Sequence, residues 1–172
     1  TAITLTIAAE EPYSAVIAMG LPTVAVLSAR AFGGSWLSTL GVTLYLGISA
    51  TFYTLFTGAA ALTVVSLIAL FTALYEHTWR PIVRLVVIAA GSIAIALIAW
   101  GPYIWAVLHS PEPLQTTAQH YLPEEGTQIP VPFLSLSLVG FLCLIGLIYI
   151  VVRLNDVEVR ALGISLIGIY LW

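Results

Sequence analysis

The stretch WLSTLGVTLYLGISATFYTLFTGAAALTVVSLIALFTALY, residues 36–75, decides the fold, because these 40 residues include no Asp, Glu, Lys or Arg. As a single α-helix the stretch would be about 60 Å long, roughly twice the hydrocarbon thickness of a bilayer. We therefore expect it to turn back on itself. The turn is predicted within residues 48–54 (ISATFYT), whose hydroxyl groups can satisfy the backbone groups that a helix break frees.

The composition indicates that most of the protein's surroundings are lipid. Of the 172 residues, 60% are hydrophobic and 8% are charged, whereas a typical soluble domain has about 25% charged residues. Too few polar side chains remain to cover a surface that faces water. The single cysteine, Cys143, excludes an internal disulfide framework, and five arginines without a lysine are too few to coat a phosphate backbone, so we expect no nucleic-acid partner.

Apolar runs between charged or turn-forming residues predict the other helices. We expect an all-α fold, a polytopic transmembrane helix bundle that forms part of a single transmembrane domain over residues 1–172. About five complete spans are predicted, namely the two arms of 36–75 and the runs 13–29, 82–107 and 133–152. The apolar runs at the two ends are shorter than a span, so we expect truncated helices there and an excerpt of a longer protein.

The positions of the arginines predict the orientation. If successive loops alternate between the two sides, Arg30, Arg80, Arg84, Arg153 and Arg160 all lie on one side. The positive-inside rule makes that side cytoplasmic. The polar loop 109–132 then lies on the outer side, and any chemistry carried by this chain faces away from the cytoplasm.

Three candidate substrate-binding residues lie near helix ends. Glu11 and Tyr13 stand on either side of Pro12, a residue suited to the first turn of a helix. Glu11 is either a cap favoured by the helix dipole or a hydrogen-bonding partner or base for sugar hydroxyls. Tyr53 belongs to a set of aromatic residues near the outer face, which either anchor helices at the interface or stack on a sugar.

The outer loop contains the other two candidates, His120 and Tyr121, in the run QHYLPEEG at 119–126. An imidazole, a phenol and two carboxylates can bind a polyol or a phosphate, although a plain solvated loop has a similar composition. No metal site is expected, because His109 and His120 lack the spacing of a zinc motif. No cofactor is assigned.

One helix carries a stripe of small or hydroxyl residues. Thr39, Thr43, Gly47 and Thr51 follow one another at intervals of four residues and therefore share a helix face. Small and hydroxyl residues at this spacing let two helices approach closely. The stripe is interpreted as a packing surface.

Five short motifs occur in a fixed order along nearly the whole chain. They are Glu11-Pro12-Tyr13, Phe52-Tyr53-Thr54-Leu55, Trp100 with Pro102-Tyr103, Gln119-His120-Tyr121-Leu122-Pro123, and Tyr170-Leu171-Trp172. Together with the hydropathy pattern they resemble the membrane-embedded N-terminal region of the galactan 5-O-arabinofuranosyltransferases of mycobacteria and corynebacteria.

This resemblance implies a glycosyltransferase of the GT-C type in the plasma membrane, with an active face toward the periplasm and cell wall. The implied donor is decaprenyl-phosphoryl-arabinofuranose, and the implied acceptor is a 5-hydroxyl of cell-wall galactan, in arabinogalactan biosynthesis. Enzymes of this type usually carry the catalytic carboxylate in their first outer loop, which is expected upstream of Thr1. We therefore expect no catalytic residue within this chain and no activity from the excerpt alone.

Two alternatives from other classes remain open at this stage. A transporter or flippase half is suggested by the interruption at Gly20 and Pro22 and by the turn within 48–54, because broken helices build midplane sites. The absence of an acidic residue in the middle of any span counts against it. A non-catalytic membrane assembly subunit is the second alternative.

Overall fold

The computed structural model describes residues 12–109 and 136–171, and every regular element in these ranges is a helix. The all-α prediction is confirmed for this part of the chain. The elements are α1 (Pro12–Phe32), α2 (Trp36–Phe52), α3 (Thr54–Ala60), a π-helical segment (Ala61–Ser66), α4 (Leu67–Glu76), α5 (Arg80–Leu108), α6 (Leu138–Val152) and α7 (Val157–Leu171).

Two helical stretches are long and apolar enough to cross a membrane, Thr57–Glu76 with 20 residues and Arg80–Leu108 with 29. Three further apolar helices are shorter, Met19–Phe32, Trp36–Phe52 and Leu138–Val152. The figure of about five complete spans stays a prediction. Pro22 lies inside α1 and does not end it, so the interruption that motivated the transporter alternative is not a helix boundary.

The helix break predicted within residues 48–54 is confirmed at Tyr53. Its extended backbone (φ −149°, ψ 87°) separates α2 from α3. Two side chains donate to the Ala50 carbonyl just before the break, the Thr54 hydroxyl over 3.1 Å and the Trp100 indole N–H over 2.8 Å. Side-chain donors thus supply hydrogen bonds beside the interruption, as the hydroxyl-rich sequence indicates.

Helices α2 and α5 run side by side in the same direction. Near their middle, the Ser92 hydroxyl donates to the Thr43 carbonyl over 3.1 Å. A Cβ atom built on Gly91 would lie 2.6 Å from the Thr43 methyl carbon, and one on Gly47 would lie 2.8 Å from the Ile95 Cβ. The interpretation of the small-residue stripe as a packing surface is confirmed, because the helices touch through it. 

The hydrophobic core lies where α1, α2, the π-helical segment, α4 and α5 meet. Its members larger than alanine are Leu21, Val24, Phe32, Val42, Leu46, Val64, Val65, Ile68 and Ile88. The π-helical segment contributes two of these residues, and the Ser66 hydroxyl donates to the Ala61 carbonyl five residues earlier. Helix α7 crosses the segment closely at Gly168, where an added Cβ would lie 2.1 Å from the Thr63 carbonyl oxygen.

Contacts of three arginines show that several connections between helices lie at the same end of the bundle. We call this the arginine end. The Arg30 Nε donates to the Glu158 carboxylate over 2.7 Å, joining the end of α1 to the start of α7. This hydrogen bond and the negative charge raise the pKa of Arg30 above its ordinary value. Arg84 donates to the carbonyls of Ala31 and Gly34.

A contact of Arg160 shows that the end of α4 also lies at the arginine end. The Arg160 guanidinium lies over the rings of Tyr75 and Phe71, 4.9 and 5.5 Å from their centroids. The connections 33–35, 77–79 and 153–156 therefore share one end of the bundle. This agrees with the grouping of the five arginines that alternating loops predict, while the side of the membrane that this end faces stays a prediction.

Two connections between helices are short. Helix α1 continues to Phe32, and only the connection 33–35, in which Gly34 has a φ of +127°, separates it from α2. Helix α7 begins at Val157, soon after α6 ends at Val152, because the Asp156 carboxylate accepts the Glu158 backbone N–H over 3.0 Å and caps the helix.

Candidate functional site

Within the described ranges, the end of the bundle opposite the arginines is aromatic and contains no Asp, Glu, Lys or Arg. Trp100 packs edge to face against Tyr103, with ring centroids 5.8 Å apart, and Trp105 stacks on His109 at 4.2 Å. Phe52 is 67% exposed beside the helix break. We call this the aromatic end. The acidic residues of the described ranges, Glu76, Asp156 and Glu158, belong to the opposite end.

An open apolar cavity of about 520 Å³, here called the lateral groove, extends from the aromatic end toward the middle of the bundle. It lies between α2, the stretch from α3 to the π-helical segment, and α5. Ala50 and Thr54 line it next to the helix break, and Ile88 lines it near the core. The rest of its wall includes Leu46, Gly58, Leu62, Val65, Leu85, Ile93 and Ala96.

The hydroxyl groups that line the lateral groove are already used within the protein. Thr54 donates to Ala50, and Thr57 donates to the Tyr53 carbonyl over 3.0 Å. Ser66 and Ser92 likewise donate to backbone carbonyls. Since each hydroxyl proton is engaged, the groove offers hydrocarbon contacts and favours an apolar chain as its occupant.

Tyr53 is the predicted substrate-binding residue that the structure places in full. It forms the helix break, is 37% exposed, and directly precedes Thr54 at the end of the lateral groove. Tyr13 lies in the first turn of α1, and the prediction about its side chain falls outside the described part. The predictions for Glu11, His120 and Tyr121 also lie outside the described residues.

The lateral groove was not predicted from the sequence. Its walls come from segments up to about 50 residues apart, so their proximity depends on how the helices pair. The available signal was a run of small residues, Gly58 to Ala61, which leaves space beside a helix. Within residues 12–109 and 136–171, no three His, Cys, Asp or Glu side chains are grouped so that they could hold a metal ion.

These features define the class of protein. Its described elements are all helices, two helical stretches are long and apolar enough to cross a membrane, and an apolar groove reaches the aromatic end. Comparison with known families then identifies the particular group. All of residues 1–172 match the family model described as Arabinofuranosyltransferase N terminal, and the chain belongs to this family. The resemblance carried by the five motifs is confirmed.

Several relatives share the name galactan 5-O-arabinofuranosyltransferase. The protein from Corynebacterium glutamicum is 49% identical over 172 residues, which are 100% of this chain and 26% of the relative. The one from Mycolicibacterium smegmatis is 40% identical over 178 residues, covering 100% of this chain and 28% of the relative. The Mycobacterium leprae protein is 35% identical over 191 residues, covering 99% and 30%. The chain thus spans less than a third of these relatives.

Proposed function

We propose that this chain is the part of a galactan 5-O-arabinofuranosyltransferase that receives a lipid-linked sugar donor. The complete enzyme would transfer arabinofuranose from decaprenyl-phosphoryl-arabinofuranose to a 5-hydroxyl of cell-wall galactan. Family membership supports the arabinofuranosyl transfer, and the lateral groove is the structural observation that supports the lipid-linked donor.

The lateral groove suits the isoprenoid chain of such a donor. Most of its lining is hydrocarbon, so an isoprenoid chain that enters it from the bilayer packs against the side chains by van der Waals contact. The groove ends at Ala50 and Thr54 beside Tyr53. A chain lying in it would therefore bring its phosphate and sugar to the aromatic end.

The aromatic end is proposed to face the periplasm, because the arginine end is expected to be cytoplasmic by the positive-inside rule. Nucleotide sugars are cytoplasmic, so an enzyme working on the outer face needs a sugar carried by a membrane lipid. Glu11, Tyr13, Tyr53, His120 and Tyr121 are proposed to contact the donor or the acceptor there.

At the anomeric carbon, the proposed reaction forms one carbon–oxygen bond and breaks another. The galactan 5-hydroxyl oxygen attacks the anomeric carbon of arabinofuranose, the bond from that carbon to the phosphate oxygen breaks, and polyprenyl phosphate leaves. The hydroxyl proton passes to a carboxylate base. From the resemblance to GT-C enzymes, we propose that the base lies in the first outer loop of the complete protein. The acids of the described ranges lie at the arginine end instead.

The test is an arabinosyl-transfer assay on membranes that contain the full-length protein. Glu11→Gln, Tyr53→Phe and His120→Ala are each measured with decaprenyl-phosphoryl-arabinofuranose and a galactan acceptor, at matched expression. We expect each variant to lower transfer while the protein remains in the membrane. Near-normal transfer by all three would remove these residues from the site, and absence of transfer by the unaltered protein with this donor would overturn the proposed function.

A further inference from the structure

A second surface cavity lies at the arginine end, at the hairpin between α4 and α5. Its volume is about 420 Å³, and we call it the hairpin cavity. The chain turns here through His77, whose φ of 51° places it in the left-handed region. The lining residues are Leu70, Ala73, Leu74, His77, Thr78, Trp79 and Ile82.

The hairpin cavity is apolar on one side and polar on the other. Leu70, Leu74 and Ile82 supply hydrocarbon from the two helices, whereas His77 and Thr78 supply polar groups at the turn. Trp79 joins the two parts and is 80% exposed. An exposed indole at the end of an apolar helix is typical of the boundary between hydrocarbon and headgroups. The lining therefore matches a molecule with an apolar chain and a polar head.

A positive charge without a protein partner stands next to this cavity. Arg80 directly follows Trp79 and is exposed, and within the described ranges its guanidinium has no hydrogen bond or ion pair. Arg30, Arg84 and Arg160, by contrast, are engaged by a carboxylate, by carbonyls and by aromatic rings. The nearby Glu76 lines a different cavity, against α7, and not this one.

We propose that the hairpin cavity binds an anionic phospholipid of the surrounding bilayer. An acyl chain packs against Leu70, Leu74 and Ile82, and the headgroup phosphate is held by Arg80 with the Thr78 hydroxyl and the Trp79 indole N–H beside it. The charge complementarity of Arg80 selects an anionic headgroup, and the apolar wall selects a lipid over a free anion. This site is separate from the lateral groove and does not depend on the transferase function.

The test measures lipid binding to the full-length protein by native mass spectrometry. Phosphatidylglycerol and phosphatidylcholine with identical acyl chains are titrated into the detergent-solubilised protein. We expect phosphatidylglycerol to bind about fivefold more tightly, a ratio that corresponds to about 1 kcal/mol. Arg80→Gln should abolish this preference. Arg153→Gln is the matched control, because Arg153 is also exposed at the arginine end, whereas only Arg80 directly follows a residue that lines the hairpin cavity.

A second variant tests the cavity without altering charge. Leu74 is 67% exposed, so Leu74→Trp fills the cavity with little risk to folding, and it should weaken the binding of both lipids. Equal losses for Arg80→Gln and Arg153→Gln would overturn the proposal, since they indicate attraction to the whole arginine end. Displacement of phosphatidylglycerol by millimolar glycerol phosphate would also overturn it, because the site would then bind the anion without the lipid chain.

Discussion

The indole N–H of Trp100 donates to the carbonyl of Ala50 over 2.8 Å, joining the part of α5 at the aromatic end to the last turn of α2. Ala50 also lines the lateral groove, and the helix break at Tyr53 follows it. The Trp100–Ala50 hydrogen bond thus connects the aromatic end of α5 to the groove wall, just before the helix break. It explains how a discontinuity in an apolar helix keeps a fixed position.

Replacing Trp100 by Phe should destabilise the protein through this contact. The substitution keeps an aromatic ring but removes the donor, and a hydrogen bond of this kind contributes about 1 kcal/mol. We expect the free energy of unfolding to fall by about that amount, measured by denaturant titration of the full-length protein in mixed micelles.

Trp105→Phe is the matched control for this prediction. Trp105 lies on the same helix, is 68% exposed, and its indole N–H has no hydrogen bond within the described ranges. Its substitution should change stability by less than about 0.5 kcal/mol. Equal effects of the two substitutions would show that the Trp100–Ala50 bond does not stabilise the break.

Gly58 gives a direct test of the lateral groove. An added Cβ there would meet no atom within 4 Å, so Gly58→Leu should leave the helix intact and fill the groove. Losing about ten van der Waals contacts of about 0.1 kcal/mol each between the groove wall and the donor chain corresponds to a rise of roughly fivefold in the donor KM. The measurement is arabinosyl transfer at varied donor concentration.

Gly146→Leu is the control for the groove experiment. Gly146 is also exposed, also lies within a helix and also has nothing within 4 Å of an added Cβ, but it belongs to α6, away from the groove. We expect a donor KM close to that of the unaltered protein. If both leucine variants raise the KM equally, the isoprenoid chain does not occupy the lateral groove.

Arg84→Lys should destabilise the connection between α1 and α2. The guanidinium reaches the Ala31 and Gly34 carbonyls together, and an ammonium group cannot reproduce this forked geometry. We expect a loss of about 1.5 kcal/mol in the free energy of unfolding, the scale of one hydrogen bond from a charged donor. Arg153→Lys should have little effect. If Arg84→Lys leaves the free energy of unfolding unchanged, the positive charge alone stabilises the connection between α1 and α2.

Much of the fold follows from the sequence by length and charge. A 40-residue apolar run is too long for one span, which predicts the break, and the hydroxyl groups near Tyr53 indicate its position. The positions of the helix ends were predicted less accurately. The capping carboxylate of Asp156 starts α7 before Arg160, and local capping is decided by side-chain geometry that a charge pattern does not contain.

The candidate site was predictable only in part. Tyr53 could be selected because a helix break and an aromatic residue coincide in the sequence. The lateral groove and the π-helical segment could not, since each depends on which helices pack together. No sequence period indicates that Gly58 on one segment and Ala96 on another face the same space.

Gly168 tests the crossing of α7 over the π-helical segment. A Cβ there would lie 2.1 Å from the Thr63 carbonyl oxygen, and a backbone atom cannot yield as a side chain can. Gly168→Ala should therefore cost at least about 2 kcal/mol of unfolding free energy, despite the better helix propensity of alanine. Gly146→Ala, where space is open, should instead stabilise the protein by about 0.5 kcal/mol or more. Stabilisation by both alanines would show that α7 does not cross the segment at this distance.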